Sequence, residues 1–110
     1  MIFVTGPLFA GKKEYIRRAL GLSEEELEAR AVWDVQELVS GAELPALMEA
    51  ISKKEIVIAT EIGGGLIPVD PSEREKREAA GRLACLLAER ADTVVRVSCG
   101  LGQVLKGELP

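Results

Sequence analysis

Eight residues near the start of the chain, Gly6-Pro7-Leu8-Phe9-Ala10-Gly11-Lys12-Lys13, constrain its architecture more than any other feature. They follow a short β-rich run, Ile2-Phe3-Val4, and lead into Lys12 to Leu20, where Tyr15, Ile16 and Ala19 share one face of a helix. A strand that turns through glycines directly into a helix is the opening of an α/β unit. The spacing GxxxxGK at such a turn is also the pattern of a phosphate-binding loop. That loop needs glycines so that successive backbone N–H groups can wrap an anion, a helix N-terminus aimed at it, and a lysine that reaches the outer phosphates. Gly6, Gly11 and Lys12 meet those needs, and Pro7, Leu8, Phe9 and Ala10 span the turn between them. The next residue is usually a Ser or Thr whose hydroxyl holds Mg²⁺. Here it is Lys13, and an ammonium cannot ligate a cation, so a magnesium requirement is doubtful. The competing reading is a glycine turn that binds nothing.

The rest of the chain continues the alternation. Ser23 with Glu26 fits a capping box, so Glu24 to about Arg30 reads as a short acidic, solvent-facing helix. Ala31 to Val35 is a second strand, with Trp33 and Asp34 near its end. Pro45 suits a first helical turn, and Leu44, Leu47, Met48 and Ile51 recur at the spacing of one buried stripe, in a helix that ends near Lys53. Glu55 to Thr60 is a nearly continuous apolar run, the pattern of a strand covered on both faces. A loop with three consecutive glycines follows, from Ile62 to Pro71. Ser72 with Glu75 reads as another capping box, opening a helix to about Arg90 with Ala79, Leu83, Leu86 and Leu87 on one face. Val94, Val95 and Val97 form a further strand, and Gly100 to Lys106 an edge strand. The order predicts one three-layer domain over 1–110, a mostly parallel sheet with helices on both faces.

Composition removes several functions. With 110 residues the chain has room for one core, and aromatics at 4% leave that core to Val, Ile, Leu and Ala. A net charge of −4 provides no basic field for nucleic acid or for an anionic membrane. Cys85 and Cys99 lack metal-ligand spacing and read as free thiols, which with the absence of a charged leader or a bilayer-length apolar run points to the cytoplasm. There is no histidine, hence no histidine base, ligand or covalent intermediate.

Several side chains could join the loop in a site at the carboxyl edge of the sheet, where such folds bind ligands. Asp34 is placed to hold Mg²⁺ or to orient an acceptor, and Glu61 at the end of the next strand is the second carboxylate. Each is also explained as an acidic residue ending a strand. Gly63 and Gly65 permit close approach of backbone to a ligand. Arg74, Arg77 and Arg82 carry guanidinium forks that match phosphate, although the alternating charges from Glu73 to Glu78 better describe a solvated helix face, above all for Arg77.

These segments together resemble the adenosylcobinamide kinase and adenosylcobinamide-phosphate guanylyltransferase family, a branch of the P-loop NTPase fold. Its landmarks are a GxxxxGKS loop, an aspartate opening a "DCLTLW"-like stretch, a "NEVGxGIVP" loop, an "RxFRDxxGRxNQ" helix and a terminal "SGxPxxLK"-like strand. The third is kept here as Glu61, Gly63, Gly65 and Pro68, with Thr60 for the asparagine. The fourth survives as Arg74, Arg77, Glu78, Gly81 and Arg82, with Ala84 and Cys85 for the Asn-Gln pair. The fifth is Ser98 to Lys106. Asp34 aligns with the second landmark, though its neighbours match poorly. The resemblance covers residues 1 to 20 and about 32 to 106.

The resemblance implies a reduced P-loop NTPase-like fold, ATP or GTP as cofactor, and phosphorylation of a hydroxyl on a corrinoid in cobalamin biosynthesis, with Lys12, Asp34 and Glu61 in the catalytic roles. It also implies association into an oligomer. Guanylyl transfer in the family runs through a histidine, which this chain lacks, and the segment between the first helix and Asp34 is cut to about a dozen residues. Three expectations follow: a kinase at most, a family member that binds a nucleotide or a protein partner without turnover, or a domain whose role is to assemble into an oligomer.

Overall fold

A computed structural model describes residues 1–39, 43–62 and 70–110. Five strands form one sheet: β1 (Ile2–Gly6), β2 (Ala31–Val32), β3 (Ile56–Thr60), β4 (Thr93–Ser98) and β5 (Leu101–Lys106). Their spatial order is β2-β3-β1-β4-β5; β1 to β4 run parallel and β5 pairs antiparallel with β4. The helices among the described residues are α1 (Lys12–Leu20), α2 (Glu24–Arg30), α3 (Leu44–Ile51) and α4 (Pro71–Arg90), with a 3-10 helix at Val35–Val39.

Strand alternation divides the core in two. Phe3, Val57, Ala59 and Val94 point to one face, where Val35, Val39, Met48, Ile51, Ala80, Leu83 and Leu87 cover them. Val4, Ile56, Ile58, Val95 and Val97 point to the other, against Ile16 of α1 and Leu27 of α2. Both faces of the central strands are therefore apolar, which explains their unbroken hydrophobic sequence. The described architecture is the expected α/β layering, a small relative of P-loop-like folds.

The structure amends the sequence reading at three places. The second strand stops at Val32, not Val35. Asp34 has φ 55 and turns the chain out of the sheet, so Val35 and Val39 are buried from a 3-10 helix instead. The cap of α4 is Asp70 and not Ser72, because Pro71 fits the first helical position and the Asp70 carboxylate accepts from the Ser72 amide at 3.0 Å. The buried stripe of α4 is Ala80, Leu83 and Leu87; Leu86 is exposed and Ala79 half-buried. Helix α3 ends at Ile51 with Ser52 as its cap, near Lys53 as the sequence predicts.

Candidate functional site

Strand β1 ends at Gly6, deep between its neighbours. A Cβ there would lie 2.1 Å from the Val97 carbonyl oxygen, so only glycine lets β1 pass β4 this closely. The following turn is curled. The Ala10 amide donates to the Pro7 carbonyl at 3.3 Å, and Phe9 (φ 58) and Gly11 (φ 83) both take the left-handed conformation. Two contacts fix the turn to the sheet edge: the Glu61 amide donates to the Gly6 carbonyl at 2.9 Å, and the Gly100 amide to the Ala10 carbonyl at 2.8 Å. Gly100 belongs to a two-residue hairpin turn with Cys99, both at positive φ, between paired Ser98 and Leu101.

Lys12 folds back into the turn. Its Nζ donates to the Pro7 carbonyl at 2.7 Å, and the residue is buried. Burial lowers its pKa, and the negative charges of Asp34 and Glu61 oppose that shift. Those two carboxylates, from the chain after β2 and the end of β3, thus act on the same ammonium. Helix α1 starts on Gly11 with no side-chain cap, which leaves its first amides pointing into the turn's side of the molecule. Leu8 and Phe9 at the tip are 66% and 94% exposed and add no core contact.

Lys13 takes another direction. Its ammonium stands 4.0 Å from the centroid of the Trp33 ring, at the border of a groove between α1 and α2. Arg82 is exposed on α4 beside Val39 and Ala79, and Gly63 and Gly65 lie outside the described residues. Cys85 and Cys99 are free and exposed.

Two participants escaped sequence reasoning. Arg96 of β4 grips Glu61 with two bonds, Nε to Oε1 at 2.7 Å and Nη2 to Oε2 at 3.0 Å. Its signal was present as a lone charge within Val94-Val95-Arg96-Val97, a run otherwise buried. Trp33 is the other, and nothing in the sequence marked it as the seat of Lys13.

A family model described as cobinamide kinase / cobinamide phosphate guanyltransferase matches residues 21–105. The chain belongs to this family. Membership places it among the nucleotide-binding transferases of cobalamin biosynthesis. No curated protein matches the chain. The matched residues include Asp34, Glu61 and Arg96, and they begin after α1, so the turn Gly6–Lys12 stands on its geometry. Among the described residues, no helix is long and apolar enough to cross a membrane.

Magnesium, which kinases of this fold use between nucleotide and protein, finds an ill-matched donor set. The hydroxyl beside the loop lysine is replaced by an ammonium, and both oxygens of Glu61 are engaged by Arg96. Asp34 is the remaining carboxylate that acts on Lys12.

Proposed function

We propose that the chain binds ATP or GTP through Gly6 to Lys12 and transfers, at most, a phosphoryl group to a corrinoid hydroxyl, guanylyl transfer having been lost with the histidine. The observation that carries this reading is Lys12: a buried ammonium held by the Pro7 carbonyl inside a curled glycine turn. A lysine in that position exchanges a neutral carbonyl for a phosphate oxygen when nucleotide enters, and the charge-assisted bond is the stronger one. The amides of the turn and of the uncapped α1 then surround the phosphates. In the transfer, the acceptor oxygen bonds to the terminal phosphorus as the bridging P–O bond breaks, and the hydroxyl proton passes to Asp34 or Glu61. Gly63, Gly65 and Arg82 complete the nucleotide side of this proposal.

Isothermal titration with ATP and with GTP tests it. Binding at millimolar concentration or tighter is expected, and Lys12→Met should weaken it by about tenfold or more. No binding to either nucleotide overturns the reading.

A second reading, a family member that binds without turnover, is favoured by Lys13 and by the closed Glu61–Arg96 pair. ATP hydrolysis appearing only in Lys13→Ser would support it, and turnover by the unaltered chain would refute it. Under either reading the setting is the cytoplasm. Leu101, Val104 and Leu105 are exposed on the edge strand β5 and support self-association, which light scattering checks.

A further inference from the structure

We infer that the loop takes nucleotide phosphates without a divalent cation, with the Lys13 ammonium supplying the positive charge that a metal ion supplies in hydroxyl-bearing loops. The inference rests on the nucleotide reading above and adds to it the form of the ligand, a metal-free nucleoside di- or triphosphate. Three observations converge on it. Lys13 occupies the sequence position of the metal-binding hydroxyl, where a divalent ion would meet a like charge. Glu61, the carboxylate tethered to the loop through its own amide, has each oxygen in a charge-assisted bond with Arg96, so a divalent ion there would compete with that guanidinium. Among the described residues, the Lys13 ammonium is held only by the face of Trp33, the residue before Asp34, whose charge acts on Lys12.

The parked position suits a transfer of partners. An exposed cation–π contact is a weak hold, and a phosphate oxygen makes a charge-assisted bond in its place. Lysine's four-carbon stem is flexible, and its ammonium is a compact point charge of the kind phosphates accept. Lys12 and Lys13 leave their resting partners, the Pro7 carbonyl and the Trp33 ring, for the same incoming anion. No step of this binding passes through a metal.

Trp33 makes the test direct, because it is the chain's single tryptophan and loses a cation from its ring when Lys13 moves. The intact chain is titrated with ATP and GTP by calorimetry and by Trp33 fluorescence, once in EDTA and once in excess Mg²⁺. The expected result is a dissociation constant that agrees within about threefold between the two conditions, with a fluorescence change on binding. Lys13→Ser, a change at an exposed position, should bind about tenfold more weakly in EDTA and recover when Mg²⁺ is added. Binding by the unaltered chain only when Mg²⁺ is present overturns this inference and leaves the nucleotide reading standing. Undiminished binding of Lys13→Ser in EDTA overturns it as well. An absence of binding in both conditions removes the inference and the nucleotide reading together.

Discussion

Helices α1 and α2 pack on the same face of the sheet and start in opposite ways. At α2, Ser23 accepts from the Glu26 amide and Glu26 accepts from the Ser23 amide, both at 3.1 Å, so the helix closes its own N-terminus. At α1, the residue before the helix is Gly11 in the left-handed conformation, and no side chain caps the first turn. The same backbone need is met within one element and left to an outside group in the other. A protein that could cap α1 with one serine, as it caps α2, instead placed two glycines and a buried lysine there. That contrast separates a helix end serving stability from one suited to binding an anion.

The comparison can be broken most severely at Gly6. Gly6→Ala drives a Cβ into the Val97 carbonyl, so β1 or the turn must shift; a loss of about 1–3 kcal/mol in stability is expected, with nucleotide affinity falling too. Chemical denaturation and titration of the same sample would read both. A drop in affinity with stability unchanged would show that the close approach shapes the loop alone.

Hydrogen exchange sharpens the contrast without a mutation. Added ATP should slow the exchange of the Gly11, Lys12 and Lys13 amides, while the Glu26 amide, already bonded to Ser23, keeps its rate. Equal slowing at both helices would erase the distinction between them.

A smaller effect belongs to α2 alone. Ser23→Ala should cost about 1 kcal/mol in a denaturant melt and leave nucleotide affinity unchanged. The smallest effect is in acid. The bond from the Ser23 amide lowers the Glu26 pKa below 4.5, so its contribution is whole above pH 4.5 and lost as pH falls through the folded-state value. Stability measured down the acid range should therefore fall less steeply in Glu26→Gln.

Much of this site could be read from order along the chain. The bounds of α1 and α2, the strand at β3 and the edge strand β5 follow from apolar spacing, glycines and the Ser23–Glu26 pair, all of them local signals. Asp34 reads as a strand end because residue type and spacing do not reveal its positive φ. Ser72 reads as a cap because of its spacing to Glu75, but Asp70, two residues earlier and followed by Pro71 at the first helical position, fits the role better. Arg96 and Trp33 carry no assignment in the sequence because their partners are distant along the chain: Glu61 meets Arg96 at the carboxyl edge of the sheet, and Lys13 meets Trp33 at the groove between α1 and α2.

Sequence alone determined that a glycine turn joins the first strand to the first helix, that no histidine is available for covalent transfer, and that Lys13 stands where a hydroxyl is usual. These are facts of residue type and spacing, and no packing can alter them. Tertiary structure decided where the charges point: Lys12 into the turn, Lys13 onto Trp33, and Arg96 onto Glu61. The reason is physical, since a long charged side chain chooses among partners that only the folded sheet brings within reach.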